Sequence, residues 1–284
     1  MQHCPNIGIG IGISLRSTSA FSGLLNLYPG AAAAYSLRAL SSGWLAGDVV
    51  EVRRSSDSTT QDFTASQITN GDLVAFCGVG DGFVSTWYDQ SGNANDATQA
   101  TTTAQPKIVD AGSLVTGGLV FDGVDDGLAV SGQVLTSSSL YAASVMQHTT
   151  GTSTFASQTI FGQYQISTSG RFQLSANNSS QYAFFANATD PISGLVAGAI
   201  GTSQTLISVN GDGSNAEIWR DGTSKATDTY SGFTPANVNF TIGIDSDGER
   251  EFNGKIAEVI IYPSDQSANR VGIETNINDA YSIY

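Results

Sequence analysis

From Leu114 to Tyr262 the sequence is a succession of short apolar runs, each about the length of a strand and each closed by turn residues. LVTGGLVFDG, LYAASVMQH, TIFGQYQIS, RFQLSAN, QYAFFANA, TLISVNGD, AEIWRDG, NFTIGID and IAEVIIY follow one another. Asn210-Gly211, Asp221-Gly222 and Asp247-Gly248 mark tight reversals, because glycine reaches positive φ without steric cost. Many short strands at such spacing predict an all-β fold, a jelly-roll sandwich of two packed antiparallel sheets.

The flanks add detail. Pro29-Gly30 breaks the chain, and Ala31–Leu40 (AAAAYSLRAL) reads as a short N-terminal helix. Asp48–Arg54 (DVVEVRR) and Gly82–Tyr88 (GFVSTWY) read as strands. The tail 265–280 carries apolar Ala268, Val271, Ile273 and Ile277 and reads as a short terminal helix packed on the sandwich, with Ser264 as the expected N-cap. Residues 1–28 differ from the rest. Ile7, Ile9, Ile11 and Ile13 alternate with glycine, a strand too weak to stand alone that lets another backbone come close. The expected organisation is therefore an assembly segment over 1–28 and one sandwich over 29–284, with no dividing linker.

Charge excludes some classes of function. The net charge is −14, from 11 basic and 25 acidic residues, and that field repels phosphate backbones, so no nucleic-acid partner is expected. Apolar stretches fall short of the ~18 residues of a membrane helix, so no membrane partner is expected either. Charged residues make up 13% of the chain, about half the usual ~25%. Polarity comes from Ser, Thr, Asn, Gln and Gly, as suits an extracellular β protein. Yet the start MQHCPNIGIGIGISLRS has neither the basic region nor the continuous apolar core of an export signal. Cys4 and Cys77 give no disulfide framework and are expected to be unrelated buried thiols.

Few residues offer catalysis. His3 and His148 are the only histidines, too few for a histidine-based metal site or triad. GVGDGF (78–83) lacks the spacing of a phosphate loop and reads as a turn. Asp122, Asp125 and Asp126 in FDGVDDG, and Asp245, Asp247, Glu249 and Glu251 in IDSDGERE, bring carboxylates close enough to hold calcium, although hairpin tips have the same composition. Trp87, Tyr88, Trp219 and the Tyr182/Phe184/Phe185 group are candidate sugar platforms, against the commoner role of strand aromatics as core. The run STWYDQSGNANDATQA (85–100) combines sugar-binding and turn-making residue types. It reads best as a strand ending at Trp87 or Tyr88, then a turn from Asp89 to Asn95, held by Asp89, Gln90 and their neighbours and completed at Gly92.

VRRSSDSTTQDF (52–63) followed by FVSTWYDQSGNANDATQ (83–99) resembles the catalytic domain of fungal α-L-arabinofuranosidase B enzymes, and GIDSDGEREFNGKIAEVIIYPSDQSANR (243–270) is similar to that family's closing segment. YPGAAAAYSLR (28–38) resembles the start of phage structural proteins with concanavalin A-like, laminin-G-type domains. The resemblance implies a two-sheet jelly roll related to lectins and glucanases. It implies an acid/base carboxyl at Asp247 and a nucleophilic glutamate near SANNSS (175–180), where this chain has Asn177 or Asn178. TIFGQ (159–163) stands where the family has adjacent cysteines. An amide forms no glycosyl ester, so hydrolysis is expected to be lost.

The resulting expectation is a non-enzymatic phage virion protein, a capsid decoration or tail adhesin. It would attach to other virion proteins through residues 1–28, form a homo-oligomer, and bind host-surface glycans through Trp219, Tyr182, Asn177 and Asp247. No cofactor is expected beyond a calcium ion at Asp122, Asp125 and Asp126. The alternative is a glycoside hydrolase of arabinofuranosidase type with Asp247 as the acid.

Overall fold

Glycine- and Asn-punctuated runs leave the chain no element long enough to bury itself, and they pair side by side. The computed structural model describes residues 21–151, 157–165, 170–186, 195–229 and 234–284. All its strand pairings are antiparallel, and they resolve into two sheets. The first runs Thr223–Thr229, Asn215–Arg220, Thr205–Asp212, Ser139–His148, Asn253–Tyr262. Its far edge is shared, with Leu119–Asp122 on the N-terminal part of Asn253–Tyr262 and Ala33–Ser36 on the C-terminal part. The second runs Val196–Ala199, Gln181–Ala186, Phe172–Asn177, Ser157–Gln163, Thr241–Ile242, Leu128–Ala129, Ala97–Thr98, Gly82–Trp87, Asp48–Arg54, Thr60–Thr64. Lys107–Asp110 pairs with both Leu119–Asp122 and Gly82–Trp87 and so joins the sheets at one side.

The period-2 pattern of the strands sorts their side chains into layers. Ile207, Val209, Ile218, Val259 and Ile261 point between the sheets, where they meet Phe161, Phe172, Leu174, Tyr182 and Phe184. Tyr141, Ala143, Ile260 and Tyr262 point outward and are covered by Ile273 and Ile277 of the C-terminal helix and by Leu24. That helix spans Arg270–Tyr281 with Asn269 at its N-cap. It begins later than Ser264 because the intervening residues are claimed by the sheet: Asn210 Nδ2 donates to Asp265 Oδ1 at 2.6 Å and the Gln266 N–H donates to Asn210 Oδ1 at 2.8 Å.

The short N-terminal helix lies at Leu24–Leu27, and not at Ala31–Leu40, which contains the strand Ala33–Ser36. Helix propensity is overridden there by pairing with Glu258–Ile261 on one side and by the 89–95 turn on the other. Asp89 Oδ1 accepts the Ala34 N–H at 2.8 Å, Gln90 N donates to Ala34 O at 2.8 Å, and Gln90 Nε2 donates to Ser36 O at 2.9 Å. Asn93 Nδ2 and Asn95 Nδ2 reach the carbonyls of Ala31 and Ala32. A run of side chains thus stands in for a neighbouring strand. Gly92 turns at φ +91°, where a Cβ would be strained.

Cys77 is a buried free thiol; Cys4, His3 and residues 1–20 of the expected assembly segment lie outside the described residues. No described helix is long and apolar enough to cross a membrane.

Candidate active site on the outer face of the second sheet

Strand alternation puts Thr159, Gln173 and Ser175 on the outer face of the second sheet, opposite the core residues Ile160, Leu174 and Ala176. These polar residues are buried, so each needs a partner. Ser157 Oγ donates to Ser175 Oγ at 3.1 Å, Gln173 Nε2 donates to Thr159 Oγ1, and Arg171 Nε donates to Gln173 Oε1 at 2.8 Å. The Arg171 guanidinium lies 4.2 Å from the Tyr164 ring centre and 3.9 Å from that of Phe185. The result is a cationic, aromatic-lined polar row across three strands.

The acidic hairpin 245–251 closes one end of that row. Ser246 N donates to Tyr164 O at 3.1 Å and Thr159 N donates to Arg250 O at 2.7 Å. The Arg250 guanidinium stands 5.1 Å from the Tyr164 ring centre. Two carboxylates at this tip take different roles. Asp245 is buried: its Oδ1 accepts the Asp247 N–H at 3.1 Å and the Glu249 N–H at 2.8 Å, and its Oδ2 is paired with Arg250. It organises the loop. Asp247, held by its own N–H on Asp245, is exposed at the tip.

The other sequence candidates separate. Asn177 caps a turn, accepting the N–H groups of Ser179 at 2.9 Å and Gln181 at 3.0 Å through Oδ1. Tyr182 is fully buried in the core beside His148, so it offers no sugar platform. Trp219 lies on the opposite sheet, and its ring face is covered by Arg270 at 4.5 Å. Trp87 is core, and Tyr88 Oη donates to Asp62 at 2.7 Å. Asp122, Asp125 and Asp126 do converge, with oxygens within 4.8 Å, a donor set suited to a hard cation. Burial, then the charges of Asp122 and Asp125, push the Asp126 carboxyl up to about 7. Of these only Asn177 is in line with the polar row, two residues beyond Ser175 and opposite Ser157, and its Oδ1 is spent on the turn. Arg171, Tyr164 and Arg250 were not singled out from the sequence. The usable signal was the spacing of Arg171 and Gln173, two apart on a strand and hence on one face.

A two-sheet antiparallel sandwich with a polar outer face is the class of protein these observations define. Residues 121–272 match the model of the concanavalin A-like lectin/glucanases superfamily, and the chain belongs to that superfamily. Residues 26–161 match the model of the α-L-arabinofuranosidase B catalytic domain. Among solved structures, a GH54 α-L-arabinofuranosidase soaked with a cyclic sulfate inhibitor is similar at 17% identity and a TM-score of 0.66, covering 90% of this chain and 64% of that one. An arabinofuranosidase complexed with arabinofuranosyl-α-1,2-xylobiose is similar at 18% identity and a TM-score of 0.61, with the same coverage. The chain thus spans 64% of the length of these structures. A search of curated proteins found no significant match.

These findings overturn the expectation of a non-enzymatic virion protein. Nearly half of the chain matches a catalytic-domain model, and two arabinofuranosidase structures share its fold. The expected loss of hydrolysis rests on an amide at Asn177 or Asn178 and on the absence of adjacent cysteines at 159–163, and Asn177 is a turn cap. An amide there bars a glycosyl ester at that position and says nothing about acids elsewhere on the face.

Proposed function

We propose that the protein is a glycoside hydrolase acting on α-L-arabinofuranosides, at the acidic hairpin that ends the polar row of the second sheet. The observation that carries this reading is the match of residues 26–161 to the arabinofuranosidase B catalytic domain. The position of the acidic hairpin at the end of the polar row supports it. In this reading Asp247 is the acid that protonates the leaving oxygen, and Asp245 with Arg250 positions it. Asn177 cannot serve as nucleophile. The second carboxyl group is drawn from the same hairpin, Glu249 or Glu251, the former exposed and the latter half-buried. The buried amide and hydroxyls of Gln173, Thr159 and Ser175 lie beside the hairpin, next to Tyr164 and its two guanidinium neighbours.

Release of nitrophenol from an aryl α-L-arabinofuranoside tests the reading. Asp247→Asn is expected to lower kcat about 100-fold or more, the usual worth of a general acid. Glu249→Gln and Glu251→Gln, compared side by side, identify the partner. Absence of turnover by the wild-type protein at high concentration would sink the proposal.

A further inference from the structure

The outer face of the first sheet carries a second polar cleft, on the other side of the sandwich from the polar row. Its volume is about 410 Å³, room for one or two sugar rings. Strand register builds it. Asn210 faces Glu217, Glu217 faces Thr227, and Ser208 faces Trp219, so two neighbouring cross-strand rows present these side chains beside the start of the C-terminal helix. The helix covers the apolar part of this sheet face through Ile273 and Ile277 and leaves this corner open.

The groups around the cleft divide into those already engaged and those that are not. Asp212 accepts the N–H groups of Ser214 and Asn215, both at 2.7 Å. Asp265 accepts from Asn210 and Ser267. Arg270 pairs with the buried Glu274 at 2.5 Å while lying over the Trp219 ring. By contrast, the Glu217 carboxylate and the Thr227 hydroxyl make no hydrogen bond to any described residue. Trp219 is 7% exposed, yet its Nε1–H donates to no described group and is not sealed from solvent. A buried donor that is neither satisfied nor sealed opens to the cleft it lines.

We propose that this cleft binds a neutral glycan, as a carbohydrate site separate from the hydrolytic one. One indole donor, one two-oxygen acceptor and one hydroxyl, fixed on adjacent strands, match the alternating donors and acceptors of vicinal sugar hydroxyls. With the ring face occupied by Arg270, recognition runs through the edge of the indole and not by stacking. Glu217, Asp212 and Asp265 outnumber Arg270, so the cleft disfavours anionic ligands. The site needs no catalytic residue, and it would hold a polysaccharide while another part of the same chain is hydrolysed.

Affinity electrophoresis in gels containing soluble arabinoxylan, galactomannan or mixed-linkage β-glucan tests this, with carboxymethylcellulose as the anionic control. The wild-type protein is expected to be retarded by at least one neutral polymer and not by the anionic one. Trp219→Phe, which keeps the ring and removes the N–H, and Glu217→Gln, at a half-buried strand position, should each weaken retardation ~10-fold, the worth of one hydrogen bond. Retardation by galactomannan or mixed-linkage β-glucan, which carry no arabinofuranosyl groups, separates this site from the proposed hydrolytic one. Thermal unfolding of each variant verifies folding, and Thr227→Val at its exposed position serves if Trp219→Phe does not fold. The proposal is overturned if no neutral polymer retards the wild type, or if the variants are retarded equally. It is also overturned if calcium, and not glycan, changes the tryptophan emission that Trp219→Phe removes.

Discussion

Asp89 is a buried carboxylate with four donors around it: the N–H groups of Ala34, Ser91 and Asn95, and the Ser91 hydroxyl. Such a group is costly to strip of its partners, so Asp89→Ala is expected to destabilise the fold by about 2–4 kcal/mol in urea unfolding. A change within experimental error would remove the clamp from the account. Two further residues give opposite pH signatures. Burial holds the His148 imidazole down at about 4 from 6.5, and a hydrogen bond to Gln158 offsets this in part. The unfolded chain therefore binds more protons than the folded one between these values, and stability falls as pH falls from 6.5 to 4. The effect is on the order of 3 kcal/mol. Asp126, raised from 3.8 to about 7, works the other way: the folded state holds the proton longer, so its contribution is lost as pH rises from 4 to 7. Between 6.5 and 7 only Asp126 still slopes. In a Tm series over pH 4 to 8, Asp126→Asn should remove the decline near neutrality and His148→Gln should flatten the acid side.

Among elements, the C-terminal helix is held mainly by its apolar stripe. Ile273 and Ile277 fill the layer over Tyr141, Ile260 and Tyr262, and Ile277→Ala should cost about 2–4 kcal/mol by leaving a cavity. An unchanged denaturation midpoint would mean that the helix rests on its polar contacts. One of these is the buried Glu258, which accepts Arg38 Nε at 2.8 Å, Ser36 Oγ at 2.7 Å and Tyr281 Oη at 3.1 Å. This element was legible in the sequence through Ile273 and Ile277, one turn apart, whereas Val271 and Ala268 are exposed. Strands such as Thr205–Asp212 and Asn253–Tyr262 were legible because their apolar runs are likewise local. The Ala31–Leu40 segment was not, because what makes it extended lies far along the chain, in the 89–95 turn and the last strand. The Asp89–Gly92 turn itself was readable as a turn, since its Asx chemistry is local, but its partner strand was not.

At the scale of the whole molecule, the two outer faces have different chemistry: a cationic, aromatic-rimmed polar row beside the acidic hairpin on one, and a helix-covered face with an acidic corner cleft on the other. Sequence pointed to the acidic hairpin and to Trp219 but could not say which face either occupies, since that depends on strand register across separate hairpins. Composition alone did not distinguish Asp245 from Asp247, two residues apart in a loop; the family resemblance pointed to Asp247. Only the fold turns the first inward against Arg250 and leaves the second exposed. The same uncertainty placed a nucleophile at Asn177, which the fold uses to cap a turn. The account's central claim is that this sandwich hydrolyses arabinofuranosides with Asp247 as the acid. Its most direct test is the rate of aryl α-L-arabinofuranoside hydrolysis by wild type and Asp247→Asn, measured at equal folded concentration. The account predicts turnover by the wild type and a loss of about 100-fold or more in the variant; equal rates, or none in either protein, would contradict it.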